Sequence, residues 1–151
     1  MHPEERLRRL DLELPEPPKP VAAYVPAVRS GNLVFVSGQG PWGPDGIVMG
    51  KVGADLDVER AQGAARLTCL NGLAVVKAEV GDLVRVTRVV QLRVYVASAP
   101  GFTDQPKVAN GASELLREIF GDRGTHARAA VGVTELPMGI CVEIEFVFEV
   151  T

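Results

Sequence analysis

The sequence predicts an α+β fold, one mixed β-sheet with two helices packed on the same side. Three observations carry this. Residues 57–80 and 103–120 set apolar side chains at spacings of three and four, the period of a helix with one buried stripe. Residues 84–96 and 141–150 alternate apolar with polar, the period of a strand with one buried face. The elements follow in the order of two or three strands, helix, strand, helix and two strands. Each long strand has a single apolar face, so both helices must cover the same side.

Residues 1–21 read as an N-terminal arm and residues 22–151 as one domain. Within the arm, Leu7, Leu10 and Leu14 have helical spacing over Glu4–Leu14, and Pro15, Pro17, Pro18 and Pro20 then force an extended path. Tyr24–Arg29 and Leu33–Ser37 are β-rich runs separated by Ser30-Gly31-Asn32, a hairpin signal because Gly and Asn tolerate positive φ. Gly38–Gly53, with glycines at 38, 40, 43, 46 and 50 beside Pro41 and Pro44, predicts turns and a ragged strand.

The first long helix carries Ala61, Ala65, Cys69, Leu70, Leu73, Val76 and Val80 on its buried stripe. Asp57 is placed to cap it and Gly81 to end it. In the long strand, Val84, Val86, Val90, Leu92, Val94 and Val96 share one face, interrupted by Arg88. Val89 falls on the other with Arg85, Thr87, Gln91, Arg93 and Tyr95. The second helix follows Pro100-Gly101, with Thr103 as its expected cap and Val108, Ala112, Leu115, Leu116 and Ile119 inside. In the last strand, Val142, Ile144, Phe146, Phe148 and Val150 face one way, and Glu143, Glu145, Val147 and Glu149 the other. The uncovered sheet face is too polar for a dry core, yet it carries Val89 and Val147. It reads equally as a solvated face or as a wet interface with other subunits.

Composition narrows the chemistry. A net charge of −3 brings no global positive field towards nucleic acid or anionic lipid. The expected chain is cytoplasmic: no apolar run suits a membrane helix, and Met1-His2-Pro3-Glu4-Glu5-Arg6 is unlike a secretory signal. Cys69 and Cys141 each lie in an apolar stretch and read as buried free thiols. His2 and His126 are the two histidines, and neither has a cysteine or a second histidine at ligand spacing, so no metal site is expected. Phosphate-loop, dinucleotide and nucleophile-elbow motifs are absent. The remaining tools are carboxylates, arginine, a few polar side chains and the backbone.

Three separated motifs, in this order, resemble the YjgF/YER057c/UK114 (Rid) family. The first is Ser30-Gly31-Asn32-Leu33-Val34-Phe35-Val36-Ser37-Gly38-Gln39, preceded by Tyr24. The second is Val108-Ala109-Asn110, early in the second helix. The third runs from Ala127-Arg128-Ala129-Ala130-Val131 through Leu136-Pro137 to Val142-Glu143-Ile144-Glu145. The likeness spans about residues 22–150. It implies a chorismate-mutase-like fold assembled as a homotrimer, with the uncovered sheet faces forming a central barrel and three clefts between neighbouring subunits. It therefore favours the interface reading of the uncovered face.

The resemblance also implies an activity, the hydrolysis of 2-imino acids released by pyridoxal-phosphate-dependent dehydratases to 2-keto acid and ammonia, with no metal or cofactor. Arg128 would hold the substrate carboxylate, since its planar fork matches two oxygens. Glu143 would hold and polarise the attacking water or relay a proton, and Tyr24 would donate its hydroxyl. Asn110, with backbone groups near Gly38 and Ala130, would complete the binding site. Ala130 stands where many members carry cysteine, and Met138-Gly139 replaces a charged turn, which bears on substrate identity. Trp42 is placed either at the mouth of the cleft or in packing. Two other functions stay open, a non-catalytic trimer that binds a small carboxylate and a translation-inhibiting endoribonuclease. The acidic balance and the lack of a basic-aromatic stripe weigh against RNA.

Overall fold

The computed structural model describes residues 2–17, 19 and 23–151. Pro18 and Pro20 of the expected extended path, and the expected boundary between residues 21 and 22, lie outside the described residues. Helix α1 spans Pro3–Arg9, shorter than the leucine spacing suggests, and Asp11 turns the chain away with a positive φ of 57°. The His2 imidazole caps it by accepting the Glu4 N–H. Leu7 is buried in the main core, with Leu10, Leu12 and Leu14 packed against it.

The hairpin forms as the turn signal predicts. Strands β1 (Ala27–Ser30) and β2 (Leu33–Gln39) pair with Ser30 opposite Leu33, and Gly31 supplies the positive φ of the turn. After β2, a small separate hairpin joins β3 (Trp42–Gly43) to β4 (Gly46–Ile47). Helix α2 (Val58–Val80) then begins at Asp57, whose carboxylate accepts the Arg60 N–H at 2.8 Å, and ends at Gly81 with φ 91°. Strand β5 spans Val86–Ala97, α3 Gln105–Phe120, β6 Ala127–Val133 and β7 Val142–Val150. The cap of α3 is Asp104, one residue past the expected Thr103, and it makes no side-chain capping bond.

Five strands form the main sheet in the order β1-β2-β7-β5-β6. All neighbours are antiparallel except β5 and β6, which run parallel. The α3 helix is the crossover that such a parallel pair requires. Helices α2 and α3 pack on each other over one face of the sheet, and the core lies between the layers. Two glycines set the closeness of this packing. A Cβ on Gly72 would sit 2.3 Å from the Phe146 ring, and one on Gly111 would sit 2.1 Å from the Gln62 carbonyl oxygen.

One strand departs from its expected facing. The β5–β7 pairing slips twice, between Val86 and Arg88 and again between Val89 and Gln91. Each bulge inserts a residue, so that Val86, Val89, Leu92, Val94 and Val96 are buried on the helix side, while Val90, expected among them, leaves the buried set. Val89 is therefore fully buried in the core and does not belong to the uncovered face, whereas Val84 lies outside the strand and is exposed. Apolar character on the uncovered face comes instead from a row aligned by register, Val28, Phe35 and Val147, continuing into Gln91 and Ala127. Val28 and Phe35 remain exposed, as does Val131 at the far edge.

Candidate functional site

The candidate residues fall into two groups that a single chain keeps apart. Arg128 stands opposite Leu92 in the parallel β5–β6 pair, so its side chain shares the helix-covered side with that buried leucine. There it reaches α3. Its Nη1 donates to the Asn110 Oδ1 at 2.8 Å and to the Ser113 Oγ at 3.1 Å. Ala130 follows on the same side, half-buried against the core. Among the described residues, β6 pairs only with β5, so its outer edge presents backbone groups for a ligand or a further strand.

Ser113 and His126 join this group without any motif to announce them. The His126 Nδ1 lies 2.7 Å from the Gly124 carbonyl and its Nε2 lies 2.9 Å from the Ser113 Oγ. Burial pushes the His126 pKa down and the neighbouring Arg128 charge adds to this, while the hydrogen bond to Gly124 opposes them. The signal available in the sequence was spacing. Ser113 sits three residues after Asn110 on one helix face, and His126 sits two before Arg128, immediately ahead of β6.

The second group gathers on the uncovered face, around the central strand β7 and the end of β2. Glu143 lies between the fully buried Val142 and Ile144 and so points to the uncovered face, beside Tyr95 across the β5–β7 pair. Gly38 passes directly against it; a Cβ there would meet the Glu143 carboxylate at 2.9 Å. The Tyr24 segment is drawn to the same place, because the Ser37 hydroxyl donates to the Val25 carbonyl at 2.7 Å and the Ser37 N–H to the Pro26 carbonyl at 2.8 Å. Tyr24 itself is 60% exposed. Burial, and secondarily the Glu145 charge, raise the Glu143 pKa above the usual carboxylate range. Tyr95 donates its hydroxyl to Glu145 rather than to Glu143. Among the described residues, Glu143 forms no ion pair with Arg85 or Arg93, the two partners that would make it a structural carboxylate. Arg85 bonds the Val80 and Thr151 carbonyls instead.

The expectation that Arg128 begins the strand neighbouring that of Glu143, across the Leu136-Pro137 turn, is corrected by the topology. β5 lies between β6 and β7, and the two side chains project from opposite sides of the sheet. Two strand spacings alone separate them by about 10 Å. Trp42 is placed in packing: its ring presses on Gly40, and the buried Asn71 of α2 donates to the carbonyls of Gly40 and Trp42, each at 2.9 Å. Sequence reasoning missed Asn71, which anchors the chain as it leaves β2.

Cys69 and Cys141 are buried free thiols, and burial raises the Cys141 pKa to about 11. Among the described residues, one trio of metal-type ligands, His2, Glu4 and Asp82, has ligand atoms within 4.8 Å of one another. It joins the start of α1 to Asp82 in the turn after α2, and its atoms are already engaged: Glu4 pairs with Lys77, and the His2 Nδ1 caps α1. No helix among the described residues is long and apolar enough to cross a membrane.

Comparisons with known proteins agree with this architecture. The chain is 46% identical over 145 residues to Protein TCP17 of Trypanosoma cruzi, covering 95% of this chain and 91% of that protein. It is 29% identical over 134 residues to a 2-iminobutanoate/2-iminopropanoate deaminase of Dermatophagoides farinae, covering 89% and 91%. Among solved structures, Atu1372 of Agrobacterium tumefaciens, described as of unknown function, superposes with a TM-score of 0.90 at 47% identity, covering 98% and 91%. TdcF of E. coli, solved with bound serine, superposes with a TM-score of 0.65 at 26% identity, covering 90% and 94%. The sequence model described as Endoribonuclease L-PSP matches residues 15–150, nearly the whole length, and the chain belongs to that family, the YjgF/UK114 family.

Proposed function

We propose that the protein hydrolyses 2-imino acids to 2-keto acids and ammonia, at a site assembled from the Arg128 group of one copy and the Glu143 group of another. The observation that carries this reading is the division of the candidate residues. Arg128 is held on the helix side at an exposed sheet edge, and Glu143 with Gly38 is held on the uncovered face, where apolar residues also lie exposed. Each half lacks what the other supplies: one has a fork for a carboxylate, the other a carboxylate whose pKa burial raises, a group suited to accept and return a proton. A homotrimer, the assembly proposed for the uncovered faces, would bring the halves together three times.

On this reading Arg128 fixes the substrate carboxylate, and the Asn110 amide, whose oxygen already accepts from Arg128, offers its N–H₂ to the ligand. Glu143 takes a proton from the attacking water as it adds to the imine carbon. It passes that proton to the imine nitrogen, then takes the remaining hydroxyl proton as the carbonyl forms and delivers it to the nitrogen, which departs as ammonia; both protons of the water end on nitrogen, and no metal or cofactor is needed. The deaminase name of the dust-mite relative and the serine bound to TdcF support a small amino-acid-derived ligand. The bound serine would equally suit a binding protein without catalysis. A coupled assay separates the two. A dehydratase generating 2-iminobutanoate is run with and without this protein, and keto-acid release is followed. Acceleration is expected; equal rates with intact pyruvate binding would leave the binding function alone.

A further inference from the structure

Hydrogen-bond roles around Arg128 can be assigned in sequence. A carbonyl only accepts, so the His126 Nδ1 facing the Gly124 oxygen at 2.7 Å carries the proton. In the neutral ring, Nε2 is then an acceptor, and the Ser113 hydroxyl 2.9 Å away must donate to it. With its one proton spent, the Ser113 Oγ has only lone pairs left, and these suit the Arg128 Nη1, which can only donate. The chain runs in one direction, from Arg128 through Ser113 and His126 to Gly124. The second hydrogen of Nη1 goes to the Asn110 Oδ1 at 2.8 Å.

Both hydrogens of Nη1 are thereby used, and Nε and Nη2 have no partner among the described residues. A guanidinium can receive a carboxylate end-on through its two Nη atoms or side-on through Nε and Nη2, and only the side-on fork is open here. We propose that Ser113 and His126 are positioning residues that hold the Nη1 side of Arg128, so that a ligand carboxylate is received side-on by Nε and Nη2. This rests on the reading of Arg128 as the carboxylate anchor. The fork is set before the ligand arrives, which removes rotamer freedom that binding would otherwise have to freeze.

The test is titration calorimetry with pyruvate on four proteins, the wild type, Ser113→Ala, Ser113→Thr and Arg128→Ala, together with the Arg128→Ala/Ser113→Ala double variant. Ser113→Ala is expected to weaken binding roughly tenfold, the value of one lost hydrogen bond to a charged group. Ser113→Thr, which keeps the hydroxyl, should recover affinity to within about twofold on the same scale. In the Arg128→Ala background, Ser113→Ala should change nothing further, which a general packing defect would not reproduce. Nitrogen NMR of His126 at neutral pH should show the proton on Nδ1 and a bare Nε2. Full affinity in Ser113→Ala beside weak binding in Arg128→Ala overturns the relay alone. Full affinity in Arg128→Ala overturns the anchor reading, and the relay with it.

Discussion

Replacing Glu143 by Gln tests the proposed chemistry and its energetic cost together. The side chain keeps its size and most of its hydrogen bonding but loses the ability to take a proton, so hydrolysis of 2-iminobutanoate should fall by roughly 10²–10⁴-fold, the usual share of a positioned acid–base group. Stability should move the other way. Glu143 and Glu145 lie two residues apart on one strand, about 7 Å along the same face. Like charges at that distance repel by roughly 0.6 kcal/mol in water and roughly 2.4 kcal/mol at an effective dielectric of 20. Half burial places the pair towards the lower figure, so Gln should stabilise the fold by about 1 kcal/mol. The pH dependence has a fixed sign. Because the folded pKa is raised, the native state binds more protons than the unfolded chain between the ordinary glutamate value of 4.5 and the raised one, so stability falls as pH rises through that window. Urea unfolding from pH 4 upward should show this slope in the wild type and a reduced slope in Glu143→Gln. Unchanged hydrolysis in the coupled assay would refute the catalytic role. A variant less stable than the wild type above pH 6 would refute the picture of a carboxylate held against its own solvation.

Other outcomes follow from the same geometry. Light scattering should give about three times the 16.1 kDa chain mass, and Phe35→Lys, altering an exposed ring on the uncovered face, should shift the protein towards monomer without unfolding it. A wild type that runs as a monomer at micromolar concentration would remove the shared site. Arg128→Ala should weaken pyruvate binding about 10- to 150-fold by calorimetry, and Arg128→Lys should not restore it, because an ammonium has no fork. Gly72→Ala should lower stability by roughly 1–3 kcal/mol in thermal unfolding, since the new methyl would sit 2.3 Å from the Phe146 ring and the ring is packed inside the core.

The elements were legible wherever one physical period ran uninterrupted. β7 alternates without a break and is found as read; α2 carries its cap at Asp57 and its stop at Gly81 where propensity puts them. In β5 the sign of trouble was Arg88, a charge on an otherwise apolar face. Two bulges resolve it by letting Arg88 turn outward and Val89 turn in, and a count of alternate residues has no means of placing such insertions. Long-range polar contacts were invisible for a different reason. Asn71 bonds carbonyls some thirty residues away, and Ser113 meets His126 and Arg128 only after α3 docks beside β6, so local spacing can nominate such residues but cannot encode their contacts.

The misplacement of Arg128 beside Glu143 shows where sequence adjacency misleads and why the proposed site needs a second copy. β6 and β7 are consecutive in the chain, and a short turn between strands usually means a hairpin. Here β6 instead pairs parallel with β5 after the α3 crossover, and β7 enters on the other side of β5. Parallel pairing puts Arg128 level with Leu92 on the helix side, while strict alternation in β7 puts Glu143 on the uncovered side. No side-chain rotation carries a group through a sheet, so one chain cannot close a site around both residues. The edge of β6 is open, however, and Arg128 is bound there only through Nη1 among the described residues. In the proposed assembly, a neighbouring copy supplies its own Gly38 and Glu143 to the free side of the guanidinium. The topology that separates the two residues within a chain is thus what motivates the second copy in the proposed site.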